Sequence, residues 1–163
     1  DFPGIRIELR EGDYYEIEQW LINGEVDCGF LNRTNSKKFD FMPLKRDTLL
    51  CVVSKKSPLY YKETIDIKDI ENEQIIMTTY KGTNDVALLF EQYNVKPDIR
   101  FNLYDENGIM SMIQHELGIS ILPQLSITQV PDNVRVVPFK QESFRTIGLS
   151  TKLSLSPAAQ KFV

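Results

Sequence analysis

The fold is decided by the stretch from Gln74 to Pro123, QIIMTTYKGTNDVALLFEQYNVKPDIRFNLYDENGIMSMIQHELGISILP. Short apolar runs alternate in it with apolar residues at helical spacing, and Gly, Pro, Asn or Asp separates the runs. This periodicity predicts, in order, strand 74–80, helix 85–93, strand 99–104, helix 106–117 and strand 119–122. Strands and helices that alternate along a chain indicate the α/β class.

The N-terminal stretch carries a second group of the same kind. Apolar and charged residues alternate over residues 5–9, which predicts a half-buried strand. Asp13 followed by Glu16 is a capping-box signature, and Gly24 ends the predicted helix. Residues 26–30 form a short apolar run. We therefore expect two parallel strands joined by a right-handed crossover.

The remaining segments indicate a two-lobed arrangement. The predicted extended segments and strands are 39–53, 134–139 and 144–151, and a final helix opens at Pro157. We expect the last strands to return to the first group. The predicted fold is thus α/β, with two subdomains joined by two crossover segments and a cleft between them. Subdomain I is residues 1–52 with 140–163, and subdomain II is residues 53–139.

Composition and charge exclude several classes of protein. No apolar run approaches the roughly 20 residues of a membrane span, so no membrane partner is expected. The net charge is -4, and Lys and Arg are scattered, which argues against DNA binding by this chain itself. Cys28 and Cys51 lie in apolar runs, and the single His115 has no Cys or His at ligand spacing. We predict no metal site, no cofactor and no enzymatic activity, because no catalytic motif is present.

Three segments together resemble the effector-binding domain of LysR-type bacterial transcription regulators. They are FPGIRIELREGDYYEIEQWLINGEVDCGF (2–30), FDFMPLKRDTLLCVVSKKSPL (39–59) and SMIQHELGISILPQ (111–124). Their order and spacing cover almost the whole chain. The sequence departs from the family in lacking a winged helix-turn-helix, a linker helix, and one further strand and helix before residue 2. It also has Glu116 where many members have Gly or a small residue.

The resemblance implies a fold and a function. The fold is that of the type 2 periplasmic-binding proteins. The function is to sense a small molecule bound between the two lobes. The threonine-rich loops and helix beginnings of this sequence favour an anionic one, an organic acid or an amino-acid-like metabolite. The signal passes to a helix-turn-helix DNA-binding domain that this chain does not contain. The family also implies a cytoplasmic location and a homodimer formed through this domain, which becomes a tetramer in some full-length members.

The candidate site consists of three loops at the carboxyl ends of predicted strands, where α/β proteins bind ligands, and the resemblance places the family's effector contacts in the same loops. In the loop after strand 74–80, threonine hydroxyls donate to an anion, Lys81 adds charge and Gly82 lets the backbone approach. The helix that follows is expected to present unpaired N–H groups. The predicted effector contacts are Leu31, Asn32, Thr78, Thr79, Tyr80, Lys81, Gly82, Thr83, Tyr104, Asp105 and Asn107.

Other interpretations of the same residues stay open. Thr and Gly in the loop 78–83 also suit ordinary turn chemistry, and Asp105 also suits a helix N-cap. At the level of the whole chain, an extracytoplasmic solute-binding protein with a similar two-lobed fold is the alternative to a transcription regulator.

Overall fold

The computed structural model describes residues 4, 6–32, 39–79, 84–152, 154–155 and 157–162. The chain is an α/β protein of two compact units. Unit 1 contains residues up to Lys45 and from Thr146 onward, and unit 2 lies between Arg46 and Arg145. The sequence prediction had set the two changes of subdomain after residues 52 and 139.

The elements follow the predicted alternation. The helices are α1 (Tyr14–Asn23), α2 (Asp85–Gln92), α3 (Glu106–Gln114) and α4 (Pro157–Phe162). The strands are β1 (Cys28–Asn32), β2 (Phe39–Ser54), β3 (Gln74–Thr78), β4 (Asp98–Leu103), β5 (Ser120–Pro123), β6 (Val134–Val137) and β7 (Phe144–Lys152). Short 3-10 helices cover Pro58–Tyr61, Ile67–Asn72 and Gln124–Ser126. Over the described ranges, every helix is too short or too polar to cross a bilayer.

Unit 1 is built on α1 and β1. The capping box at the start of α1 is confirmed, since Asp13 accepts from the Glu16 N–H at 2.8 Å and donates its own N–H to the Glu16 side chain at 3.0 Å. The helix lies close to β1, because a Cβ built on Gly29 would come within 2.4 Å of Ile17 Cγ2. β1 pairs antiparallel with β7, which also neighbours β2. The buried core of this unit is formed by Leu21, Leu31 and Phe39.

The strand predicted over residues 5–9 is wrong for the described residues 6–9. They form no ladder, and Ile7 and Leu9 are 60% and 89% exposed. A strand needs a neighbour for its N–H and C=O groups, and none of the described strands pairs with this segment. The expected parallel pairing of β1 with this segment is therefore also wrong, and β1 has β7 as its neighbour instead.

Unit 2 contains the two-stranded sheet of β3 and β4, together with β2, β5 and β6 of the five-stranded sheet. β3 and β4 are parallel, from Gln74 opposite Asp98 to Thr78 opposite Leu103. A parallel bridge from Ile75 to Ile119 places the start of β5 beside β3. β5 pairs antiparallel with β2, which pairs with β6 as well. Two clusters of buried apolar side chains pack against these strands, and the smaller cluster includes Ile109 and Ile113 of α3.

Helix α3 ends at Gln114, three residues before the predicted end, for a local reason. Glu116 has a φ of +62°, in the left-handed region. The Glu116 N–H donates to Ile113 O at 2.9 Å, and the Leu117 N–H donates to Met112 O at 3.1 Å. This pair of bonds is the Schellman ending of a helix. Leu117 consequently lies outside the helix and is 44% exposed.

We predict that Glu116→Gly raises the free energy of unfolding by about 0.5–1 kcal/mol, because an L-residue in the left-handed conformation costs about 1–2 kcal/mol and the freedom of glycine in the unfolded chain offsets part of this gain. Urea denaturation measures the change. The matched control is Asn94→Gly, at a φ of +50° after α2. Its gain should be smaller, because Asn tolerates this conformation. A loss of stability in Glu116→Gly would contradict the explanation.

Candidate functional site

The carboxyl ends of β3 and β4 bring several of the predicted residues to one edge of the β3–β4 sheet. Thr78 pairs with Leu103, and the Thr79 N–H donates to Leu103 O at 2.8 Å. Tyr104 and Asp105 follow β4 directly. Because parallel strands end at the same edge, residues 78 and 79 lie beside residues 104 and 105. Thr78, at 5% exposure, is buried, whereas Tyr104 is 67% exposed.

The hydroxyl of Thr79 stands out at this edge. Its Oγ1 is buried and has no hydrogen-bond partner in the part of the chain that the structure describes. A buried polar group without a partner costs about 1–3 kcal/mol of stability. Native proteins contain few such groups, and a bound ligand or water is one explanation of them. Thr79 therefore offers a hydrogen-bond donor and acceptor to a bound molecule.

Asn84 closes the beginning of α2 against β3. Its Nδ2 donates to Thr78 O at 2.8 Å, and its Oδ1 accepts from the Val86 N–H at 3.0 Å and the Ala87 N–H at 3.2 Å. The expectation that this helix presents unpaired N–H groups is thus wrong for Val86 and Ala87. The sequence signal was available, because Asn directly before an apolar-periodic run is a favoured N-cap.

The beginning of α3 is likewise closed by its own cap. Asp105 Oδ1 accepts from the Asn107 N–H at 3.2 Å, and Oδ2 accepts from the Gly108 N–H at 2.9 Å. The interpretation of Asp105 as an N-cap is confirmed. Its carboxylate already occupies the positive end of the helix, so a second anion gains little there. Contact of Asp105 or Asn107 with an effector stays a prediction.

The other predicted residues are distributed differently. Leu31 and Asn32 end β1 in unit 1, and both are buried. The Leu31 side chain packs in the unit 1 core with Leu21 and Phe39, and its contact with an effector stays a prediction. Tyr80, Lys81, Gly82 and Thr83 lie outside the described residues.

Sequence reasoning missed an ion-pair cluster beside the start of α2. Arg145 Nε donates to Asp47 Oδ2 at 2.9 Å, and Arg145 Nη1 lies 3.8 Å from Asp85 Oδ2. The side chain of Asp47 is 1% exposed, and those of Arg145 and Asp85 are 15% exposed. No local pattern links residues 98 positions apart, so no signal for this pair is present in the sequence.

Unit 2 also has a cavity of about 460 Å³ along α3. It lies against the exposed face of the helix and the segment after β5, and its wall includes one predicted residue, Asn107. Amide and hydroxyl side chains line most of it, together with Glu106. The lining residues are Glu106, Asn107, Met110, Ser111, Gln114, Leu122, Ser126, Thr128, Gln129, Val130 and Pro131.

The cysteines and the histidine do not form a reactive cluster. Burial raises the pKa of the Cys51 thiol far above its ordinary value. Burial, and then the charge of Asp27, raise the pKa of Cys28. Both thiols therefore stay protonated at neutral pH. His115 is exposed at the end of α3, with Nδ1 2.8 Å from Ser111 O. The described ranges contain no group of three or more His, Cys, Asp or Glu side chains arranged to hold a metal ion.

Comparison with known families identifies the family of this chain. The family described as LysR substrate binding domain matches residues 1–163. The chain belongs to the LysR substrate-binding domain family. The resemblance stated from the three sequence segments is thereby confirmed, and the match extends over the whole chain.

Curated relatives of this LysR domain are transcription regulators. One is an uncharacterized HTH-type transcriptional regulator, YvbU, of Bacillus subtilis, with 27% identity over 130 residues, 80% of this chain and 44% of the relative. The next relatives, YoaU and YybE, are matched over 57% of their length. The LysR domain thus spans about half the length of the curated relatives it matches.

Solved structures confirm the fold of the LysR domain. The Synechocystis PCC6803 CcmR regulatory domain in complex with 2-PG is similar with a TM-score of 0.85 at 22% identity, covering 99% of this chain and 81% of that one. The effector binding domain of QuiR in complex with shikimate has a TM-score of 0.82 at 24% identity, covering 93% and 75%. At these identities the likeness concerns the fold.

Proposed function

We propose that this chain is the effector-sensing part of a LysR-type transcription regulator and that it binds a small anionic metabolite. Membership of the family and the HTH-type regulators among its relatives support this proposal. DNA binding belongs to a helix-turn-helix part of the whole protein, outside this chain. The role is binding rather than catalysis, in the cytoplasm, and units 1 and 2 are the two effector-binding subdomains.

The proposed effector site rests on the hydroxyl of Thr79, which is buried and has no hydrogen-bond partner among the described residues. It lies at the carboxyl edge of β3 and β4, where ligands of open α/β sheets bind. A hydroxyl that is buried without a partner destabilises the empty protein and can form a full hydrogen bond to a ligand. Two structural neighbours are complexes with small molecules, 2-PG and shikimate. Thr78 and Thr79 are therefore the central effector contacts of this proposal.

An anionic ligand suits this edge better than a cationic one. A hydroxyl donates a strong hydrogen bond to a carboxylate or phosphate oxygen, and such charge-assisted bonds are about twice as strong as neutral ones. Lys81 follows closely in the sequence and adds positive charge. An organic acid or an amino-acid-like metabolite fits this chemistry. The ligand acts by its higher affinity for one conformation of the regulator, which shifts the population toward it.

The test is isothermal titration of the chain with a panel of small anions. The panel contains shikimate, 2-PG, dicarboxylic acids, amino acids and inorganic phosphate, and shikimate and the dicarboxylic acids are each paired with their uncharged, fully methylated esters. We expect at least one acid to bind and its ester to bind about tenfold or more weakly, since a charge-assisted bond is lost. Equal affinity for acid and ester would contradict an anion site.

A secretion signal instead of a helix-turn-helix in the parent gene would favour the solute-binding alternative.

We further propose that the parent protein self-associates through this domain. Residues 6–9 do not form a strand, but the side chains of Ile7 and Leu9 are exposed to solvent. Exposed apolar side chains that lie close together favour association. Light scattering should show a concentration-dependent dimer, weakened in Ile7→Lys and Leu9→Lys. A strict monomer at millimolar concentration would contradict association by this chain.

A further inference from the structure

The side chain of Arg145 is shared by two carboxylates in unit 2. Its Nε and Nη2 lie 2.9 and 2.8 Å from Asp47 Oδ2, and its Nη1 lies 3.8 Å from Asp85 Oδ2. The other carboxylate oxygen of Asp47 accepts the Leu125 N–H at 3.0 Å. Asp47 thus receives donors on both oxygens, in a place where its side chain is 1% exposed.

This arrangement fixes the direction of the guanidinium group. Asp47 is held by the backbone after β5 through Leu125, and Arg145 is held by Asp47. A guanidinium is planar and presents its N–H groups in a rigid fork. Once Nε and Nη2 point at Asp47, the position of Nη1 is set, and it faces Asp85 in the first turn of α2.

Asp85 connects this cluster with the candidate site. It directly follows Asn84, which bonds to Thr78 O and caps α2. Asn84 holds the beginning of α2 against the end of β3, and Arg145 attracts Asp85, the residue that follows Asn84. Unit 2 begins at Arg46 and ends at Arg145, so Asp47 lies next to its first residue and Arg145 is its last. The cluster therefore links both ends of the segment 46–145 to the start of α2.

We propose that Arg145 is a positioning residue for effector binding, which acts through Asp85 and Asn84 on Thr78 and Thr79 without touching the effector. This inference rests on the proposed function, because it deepens the role of the same edge. Asp47 orients Arg145. Loss of the Arg145–Asp85 attraction loosens the first turn of α2 and thereby weakens the effector site.

The test uses Arg145→Lys and Asp85→Asn, which keep the size of each side chain and avoid a bare buried charge. Amide hydrogen exchange, followed by NMR without ligand, is measured at Val86, Ala87 and Thr79. We expect exchange to be about tenfold faster in each variant, because local opening of the first turn of α2 becomes easier. The amide of Gly108, capped separately in α3, is the internal reference. Arg46→Lys is the matched control, since Arg46 pairs with Glu142 on the surface.

The second readout is affinity for anionic probes, shikimate and inorganic phosphate, measured by titration. We expect Arg145→Lys and Asp85→Asn each to weaken binding about three- to tenfold, and the double variant to be no weaker than the worse single variant, because both remove one interaction. Unchanged exchange at Val86 and Ala87, or faster exchange with unchanged affinity, overturns the proposal. If the wild type binds no anion while exchange still responds, the proposed function fails, and with it the role in effector binding, although Arg145 still holds α2.

Discussion

Replacement of Arg145 by Met should lower the free energy of unfolding by about 3–5 kcal/mol, because removing one partner of a buried ion pair leaves an uncompensated charge. The charge left behind is that of Asp47, whose side chain is 1% exposed. Methionine fills much of the volume of the arginine stem, so the loss reflects electrostatics more than packing. Urea denaturation, with the midpoint and slope of each variant, measures the change.

Two further variants separate the charge from other effects. Adding Asp47→Asn to Arg145→Met should restore most of the lost stability, because Asn is uncharged and its Oδ1 can still accept the Leu125 N–H. Arg46→Met is the surface control: Arg46 pairs with Glu142 at 60% and 68% side-chain exposure, and it lies over the Phe144 ring. The free energy of unfolding of Arg46→Met should fall by no more than about 1 kcal/mol. An Arg145→Met variant as stable as Arg46→Met would contradict a buried ion pair.

Replacement of Thr79 by Val should change affinity and stability in opposite directions. Valine has the shape of threonine without the hydroxyl. A hydrogen bond to a charged group contributes about 1.5–3 kcal/mol, so affinity for the anionic effector should fall about ten- to a hundredfold. In the ligand-free protein the same substitution removes the unpartnered buried Oγ1. The free energy of unfolding should therefore rise by about 1 kcal/mol. Titration calorimetry and urea denaturation of the same preparation measure both effects.

Ser150 supplies the matched control for Thr79. Its Oγ is also buried without a hydrogen-bond partner in the described ranges, but it lies in β7, opposite Gly29 of unit 1. Ser150→Ala also removes a buried hydroxyl without a described partner, so it should raise the free energy of unfolding as Thr79→Val does, but it should leave effector affinity unchanged. Equal losses of affinity in the two variants would indicate a general effect of the hydroxyls. Unchanged affinity in Thr79→Val would mean that its hydroxyl does not contact the effector.

Local rules predicted the elements and their ends well. Asp13 and Glu16 mark the start of α1, and Gly24 its end, because caps and turns depend on residues within one helical turn of each other. Asp105 as the cap of α3 follows from the same rule. The end of α3 was placed three residues late because Glu116 gives no sign in the sequence that it adopts a left-handed conformation. The Asn84 cap of α2 follows from the same rule, and it satisfies the N–H groups of Val86 and Ala87.

The sequence by itself thus determined the α/β class, the order of elements and membership of the LysR substrate-binding domain family, since these depend on local periodicity and on motifs in a fixed order. Tertiary structure alone decided three features. Among the described residues, 6–9 lack a strand partner and the Thr79 hydroxyl lacks a hydrogen-bond partner, and Arg145 lies between Asp47 and Asp85. Each depends on groups brought together by folding from distant parts of the chain, and hydrogen bonds and ion pairs act over a few ångströms in space, whatever the separation in sequence.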